Sequence, residues 1–338
     1  EFARCDIRHI LTRHEQSAAH MADGFGRVSR KPGVCFATSG PGATNILTGI
    51  ATAQADSSPM IAVTGQVPVA MIGKDAFQES DIIGMANPVV KYAFQPRLPE
   101  DVPEAVRKGF YIAETGRPGP VLIDVPKDVQ QNEAPMEFPE EFKIQGYHPW
   151  YDPDIVACEK AIDMLLNSEK PIILAGGGTI ISSAFAELQS IAETLMLPVV
   201  TTFKGKGAFP ENHPLSLGPI GMHGHAEANK MMAEADCVLA IGTRFSDRSV
   251  GTFEAFEKRL KIIHMDVDPA EIGKNQTTSL AVVGDVRTSL RVMVKLLLQK
   301  SIKKNEESLW VKHVKETKAY WKENLKLHPG EMGAAKIL

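Results

Sequence analysis

The sequence predicts an α/β protein made of two doubly wound domains, each with a parallel sheet. In two separate regions, short β-rich runs alternate with longer helical stretches, the pattern of a sheet covered by helices. Gly or Pro follows the strand-like runs of the first region, as loops at strand ends require. A stretch at 131–153, rich in proline and charge and without apolar periodicity, is predicted to link the two regions. A chain of 338 residues, 43% hydrophobic, is long enough to bury two cores of ordinary size.

The first region, residues 1–130, is predicted to hold three parallel strands. They are VCFAT at 34–38, MIAVTG from Met60 and PVLIDV from Pro120, with a helix that begins at Gly42. Position 1 is Glu rather than Met, and the histidine-rich segment at 8–14 follows without a preceding strand. We therefore expect this domain to be truncated at its N-terminus.

The second region, residues 154–302, is predicted to open with a helix at 154–168 and to continue as a second doubly wound domain. Its strand candidates are PIILAG, LPVVTT, CVLAIG, KIIHMD and LAVVGD, which start at residues 171, 197, 237, 261 and 280. Residues 303–338 are predicted to form a polar, lysine-rich helical tail, and its last residues, AAKIL, look like a helix that is cut short.

Charge and cysteine content narrow the class of function. A net charge of −4, from 37 Lys and Arg against 41 Asp and Glu, offers no basic surface to nucleic acid or anionic lipid, so small-molecule chemistry is expected. The sequence shows neither the roughly 20 apolar residues of a membrane span nor a charged-then-apolar leader, which predicts a cytoplasmic or organellar-matrix protein. The four cysteines, Cys5, Cys35, Cys158 and Cys237, lack paired spacing and are expected to be reduced and mostly buried.

Four motifs in the first region carry most of the functional information. Glu15 lies in RHEQSAAHMADGFGR among small residues that permit close approach by a ligand, although an isolated Glu of this kind is usually a solvated side chain. TSGPGATN at 38–45 joins a strand to a helix, and such a turn brings backbone amides close to ligands or serves only as a tight turn. GQVP at 65–68 and DAFQE at 75–79 follow, and TGRPGPVLIDVPKDV at 115–129 closes the domain.

In this order, the motifs resemble the pyrimidine-binding domain of the acetolactate synthase family, within the thiamin diphosphate enzymes. The resemblance implies that Glu15 hydrogen-bonds a ring nitrogen of the cofactor's aminopyrimidine, and that burial of this carboxylate in an apolar pocket raises its proton affinity. It also implies that Gln78 lies near the reacting carbonyl, with Phe77 and Lys127 along the substrate channel and Gly40 and Gly42 in the cofactor turn. Two alternatives stay open, a Gln that satisfies only backbone groups and a Lys that solvates a loop. The two histidines in the first motif, His14 and His20, are expected to be structural.

Glycine-rich turns in the second region resemble the FAD-binding central domain of the biosynthetic members of this family. AGGGT at 175–179 follows a strand and opens a helix, and it would offer backbone amides to a diphosphate. GPIGMHG, IGTRFSDR and HMDVDPAEIGKN follow in the family's order, with one departure, because Ser246 stands where a second Asp is expected beside Asp247. A central domain that keeps such turns without a cofactor is the alternative. The residues that the resemblance assigns to the flavin and its nucleotide arm are Arg117, Gly176, Gly177, Gly178, His223, Gly224, Arg244, Asp266 and Asp285.

The resemblance implies an acetolactate synthase large subunit, with FAD in a role that is not redox chemistry. Such an enzyme condenses two pyruvates to 2-acetolactate, or pyruvate with 2-ketobutyrate, in branched-chain amino acid biosynthesis. Family members hold the diphosphate and Mg²⁺ on a third domain through a Gly-Asp-Gly motif, which this sequence lacks after Gly284, so the isolated chain is expected to be inactive and to hold no metal. The intact subunit is expected to form a homodimer or tetramer and to accept a small regulatory subunit.

Other functions remain open from the sequence. The first is another thiamin diphosphate carboligase or decarboxylase, although Glu15 speaks against glyoxylate carboligase, which lacks that carboxylate. The second is a flavin- or nucleotide-binding module without thiamin chemistry. The third is a non-catalytic, flavin-binding half of a split enzyme that a separate polypeptide completes.

Overall fold

The computed structural model describes residues 6–135, 137–139, 141–149, 152–250, 260–302 and 308–324. The chain divides into two compact units, which we call the first unit, Glu1–Pro149, and the second unit, Trp150–Leu338. Each unit has its own parallel sheet, so the predicted α/β class with two doubly wound domains is confirmed.

The sheet of the first unit has four parallel strands in the order β1-β2-β4-β3. The three predicted strands are present. The fourth, β3, was not predicted, because its three residues, YAF, do not belong to a β-branched aliphatic run. The strands are β1 (Gly33–Ala37), β2 (Met60–Gln66), β3 (Tyr92–Phe94) and β4 (Pro120–Pro126).

Helices cover both faces of this sheet. One core cluster joins α1 and α3 to β1 and β2, and another joins α5 to β2 and β4. Helix α1 packs closely on the start of β1 because Gly33 has no side chain. A Cβ on Gly33 would come 2.1 Å from the Ala22 carbonyl oxygen. The predicted helix at Gly42 is two helices, α2 and α3. The helices are α1 (Glu15–Ser29), α2 (Pro41–Asn45), α3 (Leu47–Asp56), α4 (Ile82–Ala86), α5 (Asp101–Glu114) and α6 (Lys127–Gln131).

Part of the predicted linker packs against the first unit. Ile144 and Tyr147 lie against the α5 core cluster, and the Tyr147 hydroxyl accepts a hydrogen bond from Lys91 Nζ at 3.1 Å. The Lys91 ammonium also donates to the Thr115 carbonyl oxygen at 2.7 Å, just beyond the C-terminus of α5, where a positive charge is favoured. These contacts place the boundary between the units at residues 149 and 150.

The sheet of the second unit has six parallel strands in the order β10-β9-β8-β5-β6-β7. Counted from β5, this is the 3-2-1-4-5-6 order of dinucleotide-binding sheets, in which the direction of winding reverses between β5 and β8. The five predicted strands are present, and the short β7 was not predicted. The strands are β5 (Pro171–Ala175), β6 (Val199–Thr201), β7 (Ser216–Pro219), β8 (Cys237–Ile241), β9 (Lys261–Asp266) and β10 (Leu280–Val283).

Helices also cover both faces of the second sheet, and the sheet separates two core clusters, one on each face. The predicted first helix is present as α7, and Asp154 caps it by accepting a hydrogen bond from the Ala157 amide. The helices are α7 (Ile155–Leu166), α8 (Gly177–Ile181), α9 (Phe185–Leu195), α10 (Ala226–Glu234), α11 (Asp247–Val250), α12 (Val286–Gln299) and α13 (Leu309–Asn324).

Helix α13, which the sequence assigns to a polar tail, is packed into the second unit. Trp310, Val311 and Val314 are buried, and the Trp310 indole donates a hydrogen bond to the Pro171 carbonyl oxygen at 3.0 Å. The prediction that 334–338 begins a helix lies outside the described residues, as does Cys5. The other three cysteines are free and buried, as expected. No helix in the described part of the chain is long and apolar enough to cross a membrane.

Candidate functional site

The motifs of the first unit meet at the carboxyl edge of its sheet. The turn at 38–40 follows β1, Val67 and Pro68 follow β2, and Lys127 follows β4. Because neighbouring parallel strands end at the same edge, these three loops lie side by side. The Val69 amide donates to the Asp128 carboxylate at 3.1 Å, which joins the loop after β2 to the one after β4.

Glu15 is the first residue of helix α1, and two neighbouring side chains fix its surroundings. His14 caps the helix, since its Nδ1 accepts a hydrogen bond from the Gln16 amide at 3.1 Å. Asn45, the last residue of α2, donates from Nδ2 to Glu15 Oε2 at 3.1 Å. Asn45 ends the TSGPGATN motif, but no local pattern predicts that its side chain reaches a residue 30 positions earlier.

The protonation of Glu15 differs from the expectation. The Asn45 hydrogen bond lowers the pKa of Glu15, with smaller contributions from the hydrogen bond of its own backbone amide and from the nearby His14, and these outweigh the opposing effect of desolvation. The side chain is half-buried rather than enclosed in an apolar pocket. Glu15 is therefore an ionised hydrogen-bond acceptor in this chain.

Two glycines bring Glu15 and Gln78 to the same turn. A Cβ built on Gly42 would lie 3.6 Å from Glu15 Oε1 and 2.7 Å from the Thr38 methyl group, so the absent side chain leaves space beside the carboxylate. A Cβ on Gly40 would lie 2.8 Å from the Gln78 carbonyl oxygen. Gly40 has φ +62 and Gln78 has φ +59, so both have a positive φ where their backbones meet. The structure thus groups Glu15, Gly40, Gly42 and Gln78.

The loop that carries Gln78 is held by side chains on either side of it. The Glu79 carboxylate accepts hydrogen bonds from the Gly73 amide and, at 2.9 Å, from the Ala76 amide, and these bonds lower the pKa of Glu79. The side-chain amide of Gln66, at the end of β2, donates from Nε2 to the Ser80 carbonyl oxygen at 2.8 Å. The loop conformation is therefore specified at both ends.

A buried carboxylate holds Gln66 in turn. Asp124 on β4 is fully buried and accepts hydrogen bonds from Thr64 Oγ1 at 2.7 Å, Gln95 Nε2 at 2.9 Å and Gln66 Nε2 at 3.1 Å. Burial raises the pKa of Asp124, and the three hydrogen bonds oppose that shift. Through Gln66, this network connects Asp124 to the loop that carries Gln78. Apolar periodicity does not predict this network, because the partners of Asp124 come from other strands and loops.

The structure separates Arg117 from the other predicted residues of the first unit. Phe77 is 89% exposed and Lys127 is exposed at the start of α6, so both are accessible at the carboxyl edge. Arg117 instead precedes β4, at the amino edge of the sheet, and its Nε donates to Ser57 Oγ at 2.8 Å. Arg117, which the resemblance assigns to the flavin, therefore lies at the opposite edge of the first sheet from the group around Glu15.

The winding of the second sheet reverses between the carboxyl ends of β5 and β8. Ligands of open α/β sheets bind at such reversals. The turn at 176–178 follows β5, Arg244 comes three residues after β8, and Asp266 ends β9. Gly284 and Asp285 follow β10, while His223 and Gly224 lie beyond β7. The sequence-predicted residues of the second unit therefore all lie at or beyond the carboxyl ends of its strands.

The glycine turn after β5 packs against backbone rather than presenting all its amides to a ligand. The Gly176 amide donates to the Ile241 carbonyl oxygen at 2.8 Å, and the Gly178 amide donates to that of Gly242 at 3.0 Å. A Cβ on Gly176 would come 2.2 Å from the Gly242 oxygen. The amides of Gly176 and Gly178 are thus used within the fold, which corrects the expectation that they face a diphosphate. Gly177 lies instead beside Lys204.

Arg244 is exposed on a segment whose backbone is tied down. His264 Nε2 bonds the Thr243 carbonyl oxygen at 2.8 Å, and Asn275 Nδ2 donates to the Arg244 carbonyl oxygen at 2.8 Å. Phe245 is buried in the left-handed region at φ +49 and packs edge-on against the His264 ring at 5.1 Å. His264 and Asn275 were not predicted as site residues, although both lie in the HMDVDPAEIGKN motif.

The remaining predicted residues of the second unit differ in burial and in the hydrogen bonds that they already make within the fold. Asp266 is buried, and its Oδ1 accepts a hydrogen bond from the Asp268 amide at 2.9 Å. Asp285 caps α12 by accepting from the Thr288 amide at 3.0 Å. His223 is exposed, and Gly224 has no room for a Cβ, which would lie 2.4 Å from the Ile220 backbone. Across the described ranges, no group of three or more His, Cys, Asp or Glu is placed to hold a metal ion.

Comparison with known families and proteins gives one consistent result. Residues 1–85 match the family described as "Thiamine pyrophosphate enzyme, N-terminal TPP binding domain", and residues 158–293 match "Thiamine pyrophosphate enzyme, central domain". Thiamine pyrophosphate is another name for thiamin diphosphate.

Curated relatives agree with the family matches. The chain is 52% identical over 316 residues to the "Probable acetolactate synthase large subunit" of Methanocaldococcus jannaschii, a match that covers 93% of this chain and 53% of the relative. It is 47% identical to the acetolactate synthase large subunit of Cyanidium caldarium, over 91% of this chain and 54% of the relative. It is 42% identical to that of Corynebacterium glutamicum, over 100% and 54%. The chain spans about half the length of the curated relatives it matches.

Proposed function

This chain belongs to the thiamine pyrophosphate enzyme family, and on that premise we propose that it forms part of an acetolactate synthase large subunit. The proposed reaction condenses two pyruvates to 2-acetolactate with loss of carbon dioxide, and pyruvate with 2-ketobutyrate is the second substrate pair. The observation that carries the proposal is the meeting of Glu15, Gly42 and Gln78 at one sheet edge, in a chain 52% identical to a relative of that name.

The group around Glu15 fits the pyrimidine end of thiamin diphosphate. An ionised carboxylate oxygen stands beside a position where a Cβ is missing, as a flat ring that approaches the backbone requires. When bound, thiamin diphosphate supplies a carbon nucleophile that attacks a 2-keto carbonyl and accepts the electron pair left when carbon dioxide departs. Glu15 Oε1 would hold the proton of a ring nitrogen in a charge-assisted hydrogen bond.

The exposed residues around this group supply binding and orientation. The Gln78 side chain, on a loop fixed by Glu79 and Gln66, would donate a hydrogen bond to the keto oxygen of the substrate. Phe77 would exclude water from the reacting carbon, and the positive charge of Lys127 would attract the substrate carboxylate.

We propose FAD as the ligand of the second unit, bound where the winding reverses between β5 and β8. The exposed guanidinium of Arg244 suits a diphosphate, and the carboxylates of Asp266 and Asp285 suit ribose hydroxyls. The amides of Gly176 and Gly178 already donate to backbone carbonyls of the protein. In the turn after β5, the ligand would therefore approach the backbone at Gly177. The family resemblance, rather than a cluster of ligands on the described residues, supports Mg²⁺, which we assign to protein outside this chain.

An oligomer of the intact subunit is part of the same proposal. Helix α1 exposes Phe25 at 55% and Val28 at 88%, and the edge strand β1 exposes Phe36 at 50%. Exposed apolar side chains of this kind are ones that a second copy of the chain would cover.

A chimera tests the proposed reaction. This chain would replace the matching 316-residue segment of the Methanocaldococcus jannaschii relative, and 2-acetolactate formed from pyruvate would be measured by mass spectrometry. We expect product formation that depends on thiamin diphosphate, Mg²⁺ and Glu15. A chimera that binds both cofactors and yields no 2-acetolactate from pyruvate would rule the proposal out.

A further inference from the structure

The two carboxylate oxygens of Glu15 lie in different surroundings. Oε2 accepts a hydrogen bond from Asn45 Nδ2 at 3.1 Å. Oε1 lies on the side of Gly42, 3.6 Å from where a Cβ of that residue would stand. Asn45 thus binds Oε2, and Oε1 borders the space that the glycine leaves.

The Asn45 side chain bonds to α1 rather than to its own helix. Asn45 is the last residue of the five-residue helix α2, and Asn is a poor helix former compared with Ala. Within the described part of the chain, its only side-chain hydrogen bond is the one to Glu15. Ala43 and Ile46 beside it are fully buried, whereas Asn45 is half-buried towards the carboxylate.

Building on the thiamin diphosphate chemistry proposed above, we propose that Asn45 is a positioning residue for Glu15. Its amide holds Oε2, fixes the plane of the carboxylate, and presents Oε1 to the ring nitrogen of the aminopyrimidine. A carboxylate restrained in this way loses less conformational freedom when the ligand binds, which favours binding in the required orientation.

The hydrogen bond also affects where the shared proton resides. An N–H donor stabilises the ionised form of the carboxylate, so the bond from Asn45 lowers the pKa of Glu15, and the neighbouring His14 acts in the same direction. A proton shared between Glu15 and the ring nitrogen is thereby shifted towards the ring. Removal of the amide would shift it back towards Glu15.

The first experiment measures Glu15 itself, without any cofactor. The 338-residue chain is labelled with ¹³C at the glutamate carboxyl carbon, and the Glu15 signal is identified by its loss in Glu15→Gln. We expect Asn45→Ala to raise the pKa of Glu15, and the isosteric Asn45→Asp to raise it further through like-charge repulsion. Asn132→Asp, which adds the same charge at an exposed position after α6, is the matched control and should leave the Glu15 titration unchanged.

The second experiment uses thiamin, which carries the aminopyrimidine but no diphosphate, as a probe of binding by the same chain. We expect Asn45→Ala to weaken thiamin binding about tenfold and Asn132→Asp to have no effect. A Glu15 pKa that is equal in the wild type and in a folded Asn45→Ala variant would overturn the positioning role. So would a raised pKa with unchanged thiamin affinity.

The two experiments separate the failure of this inference from the failure of the proposed function. If the wild-type chain does not bind thiamin although Asn45→Ala shifts the Glu15 pKa, the assignment of Glu15 to the pyrimidine is wrong, and the role of Asn45 towards that ligand fails with it. If the wild-type chain binds thiamin and Asn45→Ala changes neither readout, only the role of Asn45 is wrong.

Discussion

Gly178 and Gly242 face each other across the carboxyl ends of β5 and β8, so closely that neither has room for a side chain. A Cβ on Gly178 would lie 2.7 Å from Gly242 Cα, and a Cβ on Gly242 would lie 2.5 Å from Gly178 Cα. Both contacts are with backbone, which cannot move aside without shifting a strand end. The glycine turn therefore packs the carboxyl ends of β5 and β8 together, and any role in ligand binding comes in addition.

Substitution of Gly178 tests this packing. We expect Gly178→Ala to destabilise the second unit by about 1–3 kcal/mol, because the added methyl group forces two backbone segments apart. All three tryptophans lie between residues 150 and 338, so urea unfolding followed by tryptophan fluorescence reports on this unit. Gly24→Ala on α1, where a Cβ would meet nothing within 4 Å, should leave the fluorescence midpoint unchanged. An unaltered midpoint in Gly178→Ala would contradict the assigned packing.

Docking of α13 is tested at Trp310. We expect Trp310→Ala to destabilise the second unit by about 3–5 kcal/mol, since it removes a large buried side chain. Trp310→Phe keeps most of the packing but loses the hydrogen bond to Pro171, and it should cost about 1 kcal/mol. Circular dichroism during urea unfolding measures both variants. Leu309→Ala, at a neighbouring side chain that is 84% exposed, is the control, and equal stability of all three variants would place α13 outside the folded unit.

His264 gives the second unit a pH dependence. Burial lowers the pKa of His264, so the unfolded chain takes up this proton at a higher pH than the folded chain does. The stability that neutral His264 provides is therefore present above its unfolded pKa and is lost as the pH falls below about 6.5. We expect His264→Gln, which keeps a donor for the Thr243 carbonyl oxygen, to flatten this decline in the tryptophan-detected urea midpoint. His9→Gln, at an exposed position, should keep the full decline. Parallel pH profiles for the wild type and His264→Gln would count against a buried neutral histidine.

Arg244 is the residue of the second unit most directly open to a ligand. We expect Arg244→Ala to weaken FAD binding by about 10- to 100-fold, the loss of one or two hydrogen bonds to a charged group. Titration with FAD, followed by flavin fluorescence, measures the dissociation constant. Lys230→Ala, which removes an exposed charge from α10, should bind FAD as the wild type does. Equal affinities for Arg244→Ala and Lys230→Ala would remove Arg244 from the FAD site.

The sequence was informative where local pattern and structure coincide. Buried strands such as PIILA and CVLAI are continuous apolar runs, and they were found at their correct positions. The short strands β3 and β7 were missed because YAF and SLGP are not aliphatic β-branched runs, unlike the equally short β6 and β10 in LPVVTT and LAVVGD. The motifs named Glu15, Gly42 and Gln78, and the structure brings these residues together, while their roles stay predictions.

Long-range partners could not be predicted in the same way. A glycine that approaches a ligand and one that approaches a second backbone look the same in sequence, so the internal use of the Gly176 amide was not foreseen. Asn45 lies within a recognised motif, yet its partner is set by how α1 packs against α2. The lowered pKa of Glu15 follows from that contact, and no local pattern reports it.

Proton exchange at the thiazolium carbon shows whether Glu15 activates the cofactor through its pyrimidine ring. In the chimera loaded with thiamin diphosphate and Mg²⁺, the rate of deuterium exchange at that carbon would be compared between the wild type, Glu15→Gln and the exposed control Glu114→Gln. We predict that Glu15→Gln slows exchange by a factor on the order of 10² or more. FAD binding should be largely retained in this variant, and Glu114→Gln should exchange at the wild-type rate. Exchange at the wild-type rate in Glu15→Gln would contradict the assigned role.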